Sequence, residues 1–129
     1  MARLAEKVAR MLRVMDRAVA AWTLPVIGDE KGRVLRRLIA DHAPTRALEV
    51  GSLFGYSALL IAASLPRGGK LTCVEQNAYL AKFVGWNAAE AGLGDRVRVV
   101  VGDALRVLPM LRGPVDFMLI DAKKEDYLD

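Results

Sequence analysis

The stretch Ala47-Leu48-Glu49-Val50-Gly51-Ser52-Leu53-Phe54-Gly55-Tyr56-Ser57 decides the fold of this chain of 129 residues. It opens with a short apolar run, turns at Gly51 and becomes apolar again after Gly55. An apolar strand that ends in Gly-x-x-x-Gly before a helix lets the backbone pass close to a ligand, and the helix N-terminus presents N–H groups to a carboxylate or phosphate. We therefore predict a strand, a ligand-binding turn and a helix.

A second strand, predicted at residues 70–75, ends in the acid Glu75. An acid at the end of the neighbouring strand is placed to accept the hydroxyls of a ribose. The dinucleotide pattern G-x-G-x-x-G and the nucleotide-triphosphate pattern G-x-x-x-x-G-K-[ST] are both absent. The spacing favours a ligand with an amino-acid end and an adenosine end. The alternative is that the glycine pair binds no ligand and only packs the strand tightly on the helix, as it does in some other α/β domains.

The whole chain alternates predicted helices and strands. We expect strands at residues 47–50, 70–75, 97–101 and 115–121, and helices at residues 4–22, 29–42, 55–65, 78–91 and 104–111. This alternation predicts an α/β fold with a parallel sheet and helices on both of its faces. We expect a single domain over residues 1–129, with an amphipathic N-terminal helix in residues 1–24 and a cofactor-binding core in residues 25–129.

Four motifs occur in order after the run Val26-Ile27-Gly28-Asp29-Glu30-Lys31-Gly32. They are Glu49-x-Gly51-x-x-x-Gly55-Tyr56-Ser57, Val74-Glu75, Val101-Gly102-Asp103-Ala104, and Phe117-Met118-Leu119-Ile120-Asp121-Ala122-Lys123-Lys124-x-x-Tyr127. In order and spacing they resemble the motifs of S-adenosylmethionine-dependent O-methyltransferases of the catechol and caffeoyl-CoA type. The resemblance implies a Rossmann-like class I methyltransferase fold and metal-assisted methyl transfer to a hydroxyl of a small phenolic or catechol-like acceptor.

The resemblance also implies the residues that bind the cofactor. Glu49 and the turn from Gly51 to Ser57 would hold the methionine end, with Ser57 a partner of its carboxylate. Glu75 would bind the ribose, and Asp103 would border the adenine, unless its side chain only caps the next helix. The full set of cofactor-binding positions is Ile27, Glu49, Gly51, Gly55, Ser57, Glu75, Asp103, Ala104 and Asp121.

The reactive end of the site is implied at Asp121 and Lys124. Asp121 aligns with a ligand of Mg²⁺ or another divalent cation, and Lys124 with the lysine that takes the proton from the acceptor hydroxyl. The sequence ends at Asp129, where members of that family continue with an Asp-Asn pair that completes the metal site and with further strands. One carboxylate should hold Mg²⁺ weakly. The alternative is a truncated module that binds S-adenosylmethionine with little or no catalysis.

The composition bears on membrane association, disulfide formation and nucleic-acid binding. No apolar run approaches the length of a membrane span, and residues 1–19 lack a secretory signal, so we expect a cytoplasmic protein without stable membrane association. Cys73 is the only cysteine, so an intrachain disulfide cannot form, and we expect it to be buried. The formal net charge of +4 is modest, and we expect no binding of nucleic acid, although the basic face of the first helix leaves RNA or an anionic membrane surface as an alternative.

Two expectations concern the surface. The fourth strand of the family lies beside the first, so a chain that ends at residue 129 would expose residues 115–120 as an apolar edge. We therefore expect self-association as a homodimer. Trp22 and Trp86 are predicted to be packing residues on their helices.

Overall fold

The computed structural model describes residues 4–13, 28–51, 55–111 and 113–120. Helix α1 comprises the helical residues 4–13, and the other elements follow in chain order. They are α2 (Gly28–His42), β1 (Arg46–Val50), α3 (Tyr56–Ser64), β2 (Lys70–Glu75), α4 (Ala78–Glu90), β3 (Val97–Val101), α5 (Ala104–Val107), a 3₁₀ turn (Leu108–Met110) and β4 (Phe117–Ile120).

The four described strands form one parallel sheet in the order β3-β2-β1-β4. Val50 of β1 lies opposite Val74 of β2 and Ile120 of β4, and Glu75 lies opposite Val101 of β3. The carboxyl ends of all four strands therefore reach the same edge of the sheet. The predicted α/β fold is confirmed, as is the predicted position of the fourth strand beside the first.

Alternate residues of each strand point to opposite faces of the sheet. Both faces carry apolar side chains, and helices cover both. On one face the strand residues Ala47, Leu71 and Cys73 are buried against apolar side chains of α1 to α4. On the other face a smaller cluster surrounds Leu48 and Val74, and residues of α5 and the 3₁₀ turn pack on it. Cys73 is buried, as predicted.

Asp116, just before β4, joins the beginnings of β1 and β4. Its carboxylate accepts hydrogen bonds from the backbone N–H groups of Thr45 (2.9 Å) and Arg46 (2.8 Å), and its own N–H donates to the Arg46 carbonyl (2.9 Å). The bond from the Thr45 N–H, followed by that from Arg46, lowers the pKa of Asp116 below its ordinary value, because both donors favour the ionised carboxylate. This clamp fixes where β1 and β4 begin to pair.

Several element boundaries differ from those predicted. The helix predicted over residues 104–111 is α-helical only to Val107 and continues as a 3₁₀ turn that contains Pro109, which lacks the N–H that an α-helix interior needs. Strand β4 begins at Phe117 and not at residue 115, because the Asp116 carboxylate binds the N–H groups at the start of β1. Of the predicted first helix, residues 4–13 are helical and residues 14–22 lie outside the described part.

One packing prediction is wrong. Trp86 is 60% exposed on α4, whereas the buried residues of that helix are Ala81, Val84, Asn87 and Ala88. Trp22 lies outside the described residues. Among the described helices, none is both long enough and apolar enough to cross a membrane.

Candidate functional site

Three strand ends lie side by side at the carboxyl edge of the sheet. The N–H of Gly51, directly after β1, donates to the carbonyl of Val74 (2.9 Å), and the N–H of Gly102, directly after β3, donates to the carbonyl of Glu75 (3.0 Å). Gly51, Glu75 and Gly102 therefore form one row. Ligands of open parallel sheets bind outside this edge, so the predicted site residues of the first three motifs are brought together where a ligand would lie.

The turn after β1 requires glycine at both ends. Gly51 has a φ angle of 81° and Gly55 one of 102°, in a region that L-residues with a side chain rarely adopt. A Cβ atom on Gly55 would also lie 3.4 Å from the Cα atom of Val84 on α4. Gly55 begins α3 without a side-chain cap, and the N-terminus of a helix favours a carboxylate or phosphate. The start of α3 therefore leaves backbone N–H groups that could bind an anion, and binding of the methionine carboxylate there stays a prediction.

Behind the turn, a buried polar pair joins the strand to the helix. The Ser57 hydroxyl donates a hydrogen bond of 2.9 Å to Oε1 of Glu49, and the two residues are 6% and 0% exposed. Burying a carboxylate is costly unless it is hydrogen-bonded, so this contact helps to keep Glu49 inside the protein. The structure shows Glu49 and Ser57 as partners of each other, and their direct contact with a cofactor stays a prediction.

The acid at the end of β2 is held in place by the residue that starts the next helix. Oε2 of Glu75 accepts a hydrogen bond of 2.7 Å from the Asn77 N–H, and Glu75 is 7% exposed. The Asn77 side chain in turn caps α4, because its Oδ1 accepts from the N–H groups of Tyr79 (2.9 Å) and Leu80 (3.1 Å). The carboxylate is therefore pre-oriented at the strand end, where the sequence placed a ribose acceptor.

Asn77 is the positioning residue that sequence reasoning missed. The signal was present, because an asparagine directly before a predicted helix is a preferred N-cap. Its second role, through a backbone N–H that orients Glu75, depends on the tight turn between β2 and α4.

The third strand end carries Asp103 and Ala104. The Asp103 side chain accepts a hydrogen bond of 3.1 Å from the Leu105 N–H and so caps α5, and Ala104 packs on the cluster around Leu48 and Val74. The capping alternative is therefore confirmed for Asp103. Its contact with adenine stays a prediction that this capping does not exclude.

The remaining predicted site residues lie outside the described part of the chain. They are Ile27, Asp121 and Lys124. Residues 4–13, 28–51, 55–111 and 113–120 contain no group of three or more His, Cys, Asp or Glu side chains that could hold a metal ion. The contacts of the described residues with the cofactor, like the cation at Asp121, stay predictions.

A cleft of about 380 Å³ opens at the opposite, amino-terminal edge of the sheet, where Arg46, Lys70 and Arg98 contribute to its lining. The glycine turn and Glu75 are at the other ends of the same strands. We therefore place the candidate site at the carboxyl edge, where the backbone geometry and the oriented acid are found.

The fold is that of a Rossmann-like methyltransferase. A family model described as O-methyltransferase matches residues 3–129, so the chain belongs to the O-methyltransferase family.

Individual relatives agree with this assignment. Catechol O-methyltransferase of Mus musculus is 32% identical over 112 residues, which cover 83% of this chain and 42% of the mouse enzyme. The O-methyltransferase TomG of Streptomyces achromogenes, solved in complex with S-adenosylmethionine (SAM), has a TM-score of 0.82 and 32% identity over 91% of this chain and 55% of its own. An O-methyltransferase of Bacillus cereus, solved with SAH, has a TM-score of 0.79 and 31% identity over 94% of this chain and 56% of its own. The chain thus spans about half the length of these relatives.

Proposed function

We propose that this chain binds S-adenosylmethionine and, as an O-methyltransferase, transfers its methyl group to a hydroxyl of a small phenolic or catechol-like acceptor. The observation that carries the proposal is the row of Gly51, Glu75 and Gly102 at the carboxyl edge of the sheet, with an uncapped helix start beside it. Support comes from the family of the chain and from two similar structures that were solved with S-adenosylmethionine or SAH.

Each end of the cofactor has a proposed partner. The backbone of the turn between Gly51 and Gly55 would bind the methionine end, with the Glu49–Ser57 pair behind it. Glu75, held by the Asn77 N–H, would accept hydrogen bonds from the ribose hydroxyls. Asp103 and Ala104 would border the adenine, and Ile27 and Asp121 would complete the contacts from the segments that flank the described residues.

The reaction is an in-line displacement. The bond from the sulfonium sulfur to the methyl carbon breaks as a bond from the acceptor oxygen to that carbon forms, and the hydroxyl proton is released. The sulfur ends as a neutral thioether. The protein's contribution is to hold the two reactants in line, and we propose Lys124 as the group that takes the proton.

A divalent cation is proposed only at Asp121. The described residues supply no cluster of ligands for it, so we derive no step through a metal. When bound, such a cation would make the acceptor hydroxyl more acidic.

A second candidate function is a binding module that holds S-adenosylmethionine without turning it over. It is favoured by the row of Gly51, Glu75 and Gly102, which could hold the cofactor without any metal ligand. In either case we propose that residues 1–129 act as one cofactor-binding unit, located in the cytoplasm and self-associated as a homodimer.

The deciding experiment is a calorimetric titration of the purified chain with S-adenosylmethionine, repeated on Glu75→Gln. We expect micromolar binding that weakens by about 1.5–3 kcal/mol in the variant, because a charged acceptor is lost. Asp41→Asn, which removes an exposed acid from α2, is the matched control and should bind normally. Equal affinity in Glu75→Gln and the unaltered chain would refute the assignment of Glu75.

The two candidate functions are separated by a methyl-transfer assay with catechol on the same samples. Transfer above background by a chain that binds the cofactor supports the enzyme. Intact cofactor binding with background transfer supports the binding module for this acceptor class.

A further inference from the structure

The cleft at the amino-terminal edge of the sheet, which we call the amino-edge cleft, is lined by three cationic side chains. Its volume is about 380 Å³, and Arg46, Lys70 and Arg98 belong to its lining. Among the described residues that line it, none is Asp or Glu. Ligand pockets of proteins have volumes of roughly 300–1,000 Å³, so the cleft has room for a small molecule. The charge of its lining favours an anion.

The strand register explains why the three cations share one cleft. Lys70 of β2 lies opposite Arg46 of β1, and Thr72 of β2 lies opposite Arg98 of β3. Residues two apart in a strand point to the same face of the sheet, so these four side chains project from one face. Lys70 is therefore the central cation, with one arginine on each neighbouring strand.

This face of the sheet is covered only in part. Residues of α5 and the 3₁₀ turn pack on the cluster around Leu48 and Val74, which lies further along the strands. Leu111, directly after that turn, both packs on this cluster and lines the amino-edge cleft. The cleft is thus the part of the face that remains open where the cover of α5 and the turn ends.

A backbone contact orients Lys70 without neutralising its charge. Nζ of Lys70 donates a hydrogen bond of 2.6 Å to the backbone carbonyl of Asp95. A lysine ammonium group has three N–H donors, so two remain for another acceptor. Because a carbonyl carries no net charge, the ammonium group is held in position and stays attractive to an anion.

Two acids, Asp95 and Asp116, lie beside the amino-edge cleft without lining it. Both carboxylate oxygens of Asp116 accept hydrogen bonds from the backbone N–H groups of Thr45 and Arg46. Three positive charges therefore face the open space of the cleft. Like charges around one space repel each other, and a bound anion would relieve that repulsion.

We propose that the amino-edge cleft binds the diphosphate group of a small molecule, with Lys70 between the two phosphates and Arg46 and Arg98 on either side. Arginine and lysine form strong charge-assisted hydrogen bonds with phosphate oxygens. The half-buried Thr72 adds a hydroxyl that can donate to the same group. Among the described lining residues none is aromatic, so the cleft lacks the stacking surface that holds single-stranded nucleic acid.

The amino-edge cleft is separate from the candidate cofactor site. Lys70 and Glu75 are the first and last residues of β2, and five steps of about 3.3 Å place their Cα atoms about 16 Å apart. A diphosphate in the cleft and a cofactor at the carboxyl edge can therefore be bound at the same time. The proposal does not depend on methyl transfer.

The test is a calorimetric titration of the full chain with sodium pyrophosphate at about 0.15 M salt. We expect a dissociation constant below about 1 mM. Arg98→Gln and Lys70→Gln should each raise it about tenfold or more, because each removes a charged donor to phosphate. Arg36→Gln on α2 and Lys82→Gln on α4 are the matched controls, since each removes one exposed charge of the same kind, and they should change it little.

Each outcome decides the proposal. Weaker binding in both cleft variants with little change in both controls supports it. No binding heat overturns it, and so does an equal loss in cleft variants and controls, which would be an effect of net charge alone. Affinity for pyrophosphate no higher than for inorganic phosphate overturns the assignment of a diphosphate. Binding of polyuridine RNA that Arg98→Gln weakens, with no heat from pyrophosphate, would assign the cleft to nucleic acid and also overturn it.

A second titration separates this cleft from the cofactor site. Pyrophosphate should bind equally well to a sample that is already saturated with S-adenosylmethionine. Competition between the two would place pyrophosphate at the glycine turn and overturn the proposal. The variants are titrated without cofactor, so a chain that fails to bind S-adenosylmethionine refutes the proposed function and leaves this test intact.

Discussion

The hydroxyl of Ser57 lies 2.9 Å from Oε1 of Glu49 and joins the end of β1 to the first turn of α3 across the glycine turn. Both residues are buried. This hydrogen bond therefore links β1 directly to α3, whether or not either side chain also contacts a ligand. Two consequences follow for stability and for cofactor binding.

Ser57→Ala should lower the free energy of unfolding by about 1–3 kcal/mol, because Glu49 loses a hydrogen bond in a buried position. It should also weaken the binding of S-adenosylmethionine, since the hydrogen bond that links β1 to α3 beside the proposed cofactor site is lost. Urea unfolding and calorimetric titration measure the two effects. Ser64→Ala, at the last residue of the same helix, is the control and should have a much smaller effect. Unchanged stability in Ser57→Ala would contradict the structural role of the pair.

Gly55→Ala should destabilise the protein by about 1–3 kcal/mol and weaken cofactor binding, because an L-residue is strained at a φ angle of 102°. Gly85→Ala is a matched control in α4. No atom lies within 4 Å of a Cβ built on Gly85, and alanine in a helix interior is favoured over glycine by about 0.5–1 kcal/mol. The two substitutions should therefore shift the urea midpoint in opposite directions. A shift in the same direction would show that the turn does not require glycine at Gly55.

Asp116→Asn should lower the thermal midpoint at neutral pH, because it weakens the clamp on the N–H groups of Thr45 and Arg46. The folded-state pKa of Asp116 is lowered from its ordinary value of 3.8, so its stabilisation is fully present above that value. It is lost as the pH falls through the lower folded-state pKa. The difference in midpoint between the unaltered chain and the variant should thus vanish in strong acid.

The control for this pH dependence is Asp95→Asn, which alters an exposed acid before β3. Its midpoint should follow that of the unaltered chain across the titration. A midpoint difference for Asp116→Asn that stays constant from neutral pH to strong acid would mean that the ionised clamp does not contribute.

Asp121→Ala tests the proposed cation. If Asp121 is a ligand, titration with MgCl₂ alone should give a binding heat in the unaltered chain that disappears in the variant, and methyl transfer to catechol should lose its dependence on Mg²⁺. Weak, millimolar affinity is expected from one carboxylate and water. Asp41→Asn again serves as the control. Binding of Mg²⁺ that survives in Asp121→Ala would place the cation elsewhere.

The sequence predicted the strands well because their signals are local. Runs such as residues 70–75 and 97–101 are β-rich and are bounded by glycines or an acid, so the observed β2 and β3 agree with the predicted bounds. The end of α5 was less predictable, since apolar periodicity continues past Val107 while Pro109 changes the type of turn. The burial of Trp86 was predicted wrongly, because composition favours packing for any tryptophan and cannot tell which side of α4 meets the sheet.

What the sequence by itself determined is the family and the parallel α/β order, because local patterns of glycine spacing, strand-ending acids and apolar segments carry both. The roles of the cofactor-side residues stay predictions. The tertiary structure alone decided two partnerships: Ser57 with Glu49, and Asp116 with the start of β1. It also decided that Trp86 of α4 faces outward. The physical reason is that a hydrogen bond or an exposed face depends on how elements pack in three dimensions, and the distance along the chain does not encode that packing.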